Sequence, residues 1–349
     1  VARHHHARHA GVQQPGPLST NIAGLSERAG YCYRYMASNA IGASWSPVST
    51  FTTLSDFSQW SERMPLVFSG YTQAVTLSNF PALVLLGTNV AGFSYDQFLS
   101  GSNADLVFAD GTLTTELPYE VDTWNTNGVS CVWVQVPVLA GTNTTVWALW
   151  GRSGTTAAAY TTNGSVWANG SAGVWHLNES GFPYADSSSN GHPATSGTAP
   201  TAVAGVIGGG QSFSSASSQY LDVNSGIIAD AAPVTFGAWA QVNNGGQLMS
   251  RGRDGYGDGW SLDLAGTTGT SFSAAVTVTT GGAQTWGVNG TTVASPGTWY
   301  HVMAVWNGAD TFSLYVNGAM QGSTGVGKTI LWSSTIGFWF GRFFDSFLD

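Results

Sequence analysis

A two-residue alternation of apolar and polar positions dominates the second half of the chain. Along Trp299–Trp306, Tyr300, Val302, Ala304 and Trp306 fall on one face of an extended strand, while His301, Met303 and Val305 fall on the other. Both faces are mostly apolar. A polar turn at 307–310 follows, and then Phe312, Leu314 and Val316 alternate with Thr311, Ser313 and Tyr315. Asn317-Gly318 closes that strand with a dipeptide suited to a two-residue hairpin. Upstream, the apolar runs "MPLVFSGY", "PALVLLG", "ADLVFAD", "LPYEVDTW", "SCVWVQVPVL" and "TTVWALWG" are separated by turn residues at the close spacing of a β-sandwich. No long helical periodicity occurs. The pattern predicts an all-β chain of tandem β-sandwiches.

Composition narrows the function classes. Aromatic residues reach 13%, with 15 Trp, while charged residues are only 8%. Such a surface is kept wet by hydroxyls and amides rather than ions. The net charge is −9 with ten Lys and Arg, so there is no basic cluster and no nucleic-acid partner is expected. No apolar run approaches the length of a membrane helix, and "VARHHHARHAG" lacks the apolar core of a signal peptide. Its His4, His5, His6 and His9 read as a His-rich terminus or tag remnant. Cys32 and Cys131 are the only cysteines and fall in different predicted domains, so no disulfide framework is expected.

The segments "VWHLNE", "ADSSSNGHPA", "GGGQSFSSASSQYLDV", "VTFGAWAQV", "GWSLDL" and "TWYHVMAVWNGADTFSLYVNG" resemble, in order and spacing, the laminin-G-like, concanavalin-A-like jelly roll. That resemblance places a jelly roll at 172–349. Residues 57–168, through "LSNFPALVLL", "ADLVFAD", "LPYEVDTW", "VWVQVPVL" and "VWALWG", resemble an uncharacterised β-sandwich family found before laminin-G-like domains in bacterial surface proteins. "GRSGTTAAAYTTNGSVWANGSAG" reads as a Gly/Ala/Thr linker between them. Within 1–54, Leu25 and Tyr31 are spaced as in the tyrosine corner of a fibronectin-III-like sandwich. Tyr31, Tyr33, Tyr35 and Ala37 are expected to point inward, with Cys32 and Arg34 outward. This piece resembles the last strands of such a domain. At the other end, "GRFFDSFLD" reads as the lead-in to a closing strand. Two expectations follow: a piece of a longer multi-domain chain, or an open edge filled by a strand from another copy.

Several residue groups are candidates for chemistry. The resemblance implies a Ca²⁺ site at the Asp186 turn, with Asp349, Ser188 and Asn190 as further oxygen donors. The alternative is an Asp turn capping its own backbone. In "RGRDGYGDGW", Asp254, Tyr256, Asp258 and Trp260 combine rings with acidic groups, which suits sugars; alternatively Trp260 begins a strand and packs inward. Glu120 and Asp122 share a strand face, as in the E-x-D-x-x-E of jelly-roll glycosidases, but "EVDTWN" lacks the third carboxylate and so the acid partner. "GSTGVGKT" at 322–329 satisfies a phosphate-loop pattern, but it follows an antiparallel hairpin and no amphipathic helix follows it, so a Gly-rich turn is expected. "GVIGGGQS" likewise reads as a glycine turn. His176 and His301 read as single core histidines. Sequons at Asn143, Asn163, Asn169, Asn178 and Asn289 fall in predicted turns or linkers and are glycosylation candidates.

These features favour a non-enzymatic extracellular or cell-surface protein with a structural or adhesive role. Its expected partners are copies of itself, neighbouring domains of a longer chain, or glycans. The second expectation is a Ca²⁺-dependent carbohydrate-binding module of a larger secreted enzyme.

Overall fold

The predicted strands form along most of the chain. The computed structural model describes residues 21–223, 233–241, 245–252, 259–265, 271–278, 284–327, 337–343 and 346–347. Two compact units result. One comprises Val1–Thr76, Asp96–Leu117 and Leu139–Ala157, and the other Leu77–Tyr95, Pro118–Val138 and Ala158–Asp349. No helix among the described residues is long and apolar enough to cross a membrane.

The first unit holds a four-stranded antiparallel sheet, Glu62–Val67, Thr145–Trp150, Val107–Asp110 and Glu116–Leu117 in that order. Pro65 sits in the edge strand, where its missing N–H is tolerated. Phe57, Trp60, Val107, Ala109 and Leu149 form a small core. Asp105, fully buried, organises the adjoining loops. Its Oδ2 accepts the main-chain N–H groups of Leu99 at 2.8 Å, Gly151 at 3.0 Å and Arg152 at 3.2 Å, while its carbonyl accepts Trp60 Nε1 at 2.8 Å. A buried carboxylate needs such donors to offset its lost hydration.

Two two-stranded ribbons complete this unit: Gly30–Tyr33 with Ser49–Thr52, and Met36–Ser38 with Ala43–Trp45. The Tyr31 hydroxyl accepts the Ser26 main-chain N–H at 2.7 Å, as the corner spacing suggested. The expected inward alternation beyond it does not hold. Tyr33 and Tyr35 are exposed, with Trp45 and Phe51 beside them. A ribbon has a buried face only when a second layer covers it, and no such layer lies over these residues among those described.

In the second unit, Leu77–Gly87, Val129–Leu139 and Tyr119–Thr123 form a three-stranded sheet. Its larger part is a two-layer sandwich. Seven strands run in the order Ser196–Thr198, Tyr220–Asp222, Phe338–Phe340, Gly246–Arg251, Gly259–Ala265, Ser271–Val278 and Gln284–Val293. Four more, Val234–Gln241, Trp299–Trp306, Thr311–Val316 and Ala319–Gly325, form the facing layer. Tyr300, Val302, Ala304 and Trp306 are buried between the layers, whereas Trp299, His301, Met303 and Val305 are only half-buried on the outer face. Asn317 and Gly318 adopt positive φ, 49° and 77°, which sets the hairpin twist that the dipeptide foretold. Gly322 to Gly325 of the phosphate-loop pattern lie in an antiparallel strand, and Lys328 lies outside the described residues.

The stretch expected as a linker is packed. Val166 and Trp167 are buried within the second unit, on a 3-10 turn at Ser165–Trp167. A single Trp in a Gly/Ala/Thr-rich run supplies enough apolar surface to dock it, roughly 150–250 Å² for an aromatic side chain.

Candidate functional site

Strand alternation puts Glu120 and Asp122 on one face of Tyr119–Thr123, and His176 lies between them. His176 Nδ1 stands 3.0 Å from Asp122 Oδ2, and Nε2 stands 3.5 Å from Glu120 Oε1. The remaining carboxylate positions are also filled. Glu120 accepts Trp167 Nε1 at 2.6 Å and Ser187 Oγ at 2.6 Å, and Asp122 accepts Trp133 Nε1 at 3.3 Å and Thr123 Oγ1 at 3.1 Å. The glycine turn of "GVIGGGQS" closes over this group. Gly208 has φ +59°, and a Cβ there would meet Asp122 Oδ1 at 2.5 Å.

The electrostatics follow from the geometry. Burial alone would depress His176, but the facing carboxylates of Asp122 and Glu120 overcome it and push its pKa up to about 9. Burial opposes ionisation of both carboxylates, yet the His176 contacts and their other donors hold each below its ordinary value. His176 is therefore an ion-paired imidazolium rather than the single core histidine expected from sequence. With every carboxylate oxygen engaged, the arrangement holds charge in place. It offers no acid and nucleophile pair for glycoside cleavage.

The Asp186 turn does not offer calcium free oxygens. Asp186 Oδ1 accepts the N–H groups of Val174 and Ser188, each at 2.9 Å, and Oδ2 accepts Ser188 Oγ and the His192 N–H, each at 2.9 Å. Asn190 donates its Nδ2 to the carbonyls of Ser171 and Ala172. A carboxylate filled by four protein donors is a backbone cap, the alternative weighed from sequence. Asp349 lies outside the described residues.

Trp260 is also corrected. It is 3% exposed and stacks on Phe236 with centroids 3.6 Å apart, so it belongs to the core. Asp254, Tyr256 and Asp258 lie outside the described residues. The five sequon asparagines are all exposed, but Asn289 lies on the strand Gln284–Val293 rather than in a turn.

An aromatic site that the sequence reading missed lies on the outer face of the four-stranded layer. Trp239, Trp299, His301 and Asn317 line an open depression of about 500 Å³. Trp239 and His301 are cross-strand partners with ring centroids 5.1 Å apart, and Trp299 lies two residues along on the same face. Trp239 is 45% exposed, a large apolar ring offered to solvent. Asn317 Oδ1 accepts the His301 main-chain N–H at 2.9 Å, which leaves its NH₂ group to donate. Burial lowers the His301 pKa, so the imidazole is neutral at pH 7.

The two-layer sandwich around this depression has relatives. Residues 213–348 match the laminin G profile described as the Concanavalin A-like lectin/glucanases superfamily. Those residues form a laminin-G-like, concanavalin-A-like domain. Among solved structures, the binding domain of Paraclostridial Mosquitocidal Protein 1 is 15% identical, over 48% of this chain and 43% of its own, with a TM-score of 0.39. This chain thus spans less than half of that relative. Domain 4 of AbnA, an extracellular arabinanase from Geobacillus stearothermophilus solved with arabinotriose, is 16% identical over 45% and 77% respectively, with a TM-score of 0.36. A putative carbohydrate binding protein from Bacteroides ovatus is 14% identical over 80% and 70%, with a TM-score of 0.29. At TM-scores this low the likenesses say nothing of what this chain binds. No curated protein matches the chain.

Proposed function

We propose that this chain is a non-catalytic carbohydrate-binding module of an extracellular or cell-surface protein, and that it holds its glycan on the outer face of the strands Val234–Gln241 and Trp299–Trp306. The observation that carries this reading is the pair Trp239 and His301, paired across two strands with Trp299 beside them and Trp239 45% exposed. Sugars stack their C–H faces on such rings and hydrogen-bond at the rim, here to Asn317. Trp239→Ala is expected to weaken glycan binding at least tenfold, about 1.4 kcal/mol, without unfolding the domain. Isothermal titration against ligands first found on a glycan array measures it. Because Asp186 is filled by protein donors, the affinity is expected to survive a chelator. An unchanged affinity in Trp239→Ala would refute this placement.

A second reading, attachment to protein partners or to further copies of this chain, has its support in the first unit. There Tyr35 is 60%, Met36 53% and Trp45 49% exposed on the two ribbons. Met36 and Trp45 are cross-strand partners, and exposed apolar surface of this kind favours association. If it mediates self-assembly, Trp45→Ser should shift sedimentation equilibrium toward monomer. A wild-type protein that is monomeric at all concentrations would remove the self-assembly version.

A further inference from the structure

The aromatic depression also carries information about the charge of its ligand. We infer that the site selects uncharged oligosaccharides and discriminates against uronate, sialylated and sulfated ones. This rests on the reading of the depression as a glycan site.

Three observations converge on it. First, the lining among the described residues is two indoles, one imidazole and one carboxamide, with no Lys or Arg. An anionic sugar gives up hydration on binding, and a guanidinium or ammonium is its strongest replacement. Second, His301 does not supply that cation. Desolvation is what moves its titration, with no carboxylate contributing to hold a proton on it, in contrast to His176 between its two acids. Third, Trp239 is 45% exposed, so an aromatic ring is offered to the ligand. Aromatic faces carry the negative end of the ring quadrupole, which attracts the partly positive C–H groups of a neutral sugar and repels a carboxylate or sulfate. The chain as a whole carries a net charge of −9, which repels an approaching anion in the same sense.

The basic side chains of this unit that fall among the described residues lie elsewhere. Arg251 is buried in the seven-stranded layer, and the Arg342 guanidinium lies over the Tyr220 ring, 4.5 Å from its centroid. Neither lines the depression. The glycan the geometry fits is therefore a run of neutral hexose or pentose units lying flat on the rings.

The test is a binding series with the full chain. Neutral hexose and pentose tetrasaccharides are compared by calorimetry with hexuronate and O-sulfated tetrasaccharides of equal length, using wild type and Trp239→Ala. Trp239→Phe serves as the conservative control, and near-UV circular dichroism verifies folding. The expected result is binding of at least one neutral series, weakened tenfold or more in Trp239→Ala and partly restored in Trp239→Phe, with its charged counterparts at least tenfold weaker. Charged tetrasaccharides that bind as tightly as neutral ones, and still depend on Trp239, would overturn the charge selection while leaving the glycan reading intact. Failure of every tetrasaccharide of either class would instead bring down the glycan reading itself, and the inference with it.

Discussion

Raising the pH from 6.5 to 9 should weaken the fold by about 2–3 kcal/mol, and the loss should disappear in His176→Ala. The sign comes from the direction of the shift. The folded state holds the His176 proton up to about 9, whereas the unfolded chain releases it near 6.5. Its stabilisation is thus complete below 6.5 and is lost as the pH climbs through the folded value. A displacement of that size corresponds to roughly 3 kcal/mol at most. Other groups change outside this window. Burial pushes Asp263 up to about 6, so its influence is exhausted by then. His301 titrates below the ordinary imidazole value of 6.5, and burial raises Cys131 above 9.0. Glu120 and Asp122 work at the other end. Their depressed values mean that their contribution is lost only as the pH falls below about 4.5 and 3.8, their ordinary values.

The same cluster predicts the cost of breaking it. His176→Ala leaves two carboxylates facing each other, and Asp122 has only 1% of its side chain exposed. Removing one partner of a buried ion pair costs about 3–5 kcal/mol, because the charge left behind has no replacement for its hydration. Urea denaturation of wild type and variant at pH 6 and pH 9 gives both numbers. A variant as stable as its parent at pH 6, or one that keeps the alkaline decline, would show that His176 carries no charge in the folded protein.

What the sequence revealed and what it hid divide along physical lines. Strand identity was legible, because alternation along Trp299–Trp306 and the Asn317-Gly318 turn are local signals. Which of two apolar faces looks outward was not. His301 read as core beside Tyr300 and Val302, since only the facing layer decides which side is covered. That is why the Trp239 depression escaped the sequence, although one signal was available. That signal is the alternation along Val234–Gln241, where Trp239 shares a strand face with Thr235, Gly237 and Gln241 while Phe236, Ala238 and Ala240 share the other. The Glu120 and Asp122 pair was visible as a shared strand face. Its partner His176 lies more than fifty positions away, and nothing local in "VWHLNE" announces it. The Asp186 turn was recognised correctly as a carboxylate turn. Three of its four occupants are main-chain N–H groups, which every residue type except proline carries, so a sequence cannot distinguish a cap from a metal ligand there.

Trp260 provides the sharpest contrast between the two kinds of tryptophan in this domain. Trp260→Ala is expected to destabilise the protein by about 3–5 kcal/mol, the usual range for deleting a buried large aromatic. Its ring is sealed between Phe236, stacked at 3.6 Å and 17°, and Phe338 at 5.5 Å. The void left by an indole cannot be filled by two neighbouring rings that are themselves fixed in strands. Trp260→Phe should behave differently. The buried Trp260 Nε1 has no acceptor among the described residues, so phenylalanine removes an unsatisfied donor while keeping a ring in the stack. A loss of about 1 kcal/mol or less is expected. Under native conditions the folded fraction of either variant should bind glycan within twofold of wild type, since the Trp239 face lies on the other side of the layer that covers Trp260. Chemical denaturation paired with calorimetry separates the outcomes. A Trp260→Ala protein of unchanged stability that has lost its ligand would return Trp260 to the binding surface and displace the role assigned to Trp239.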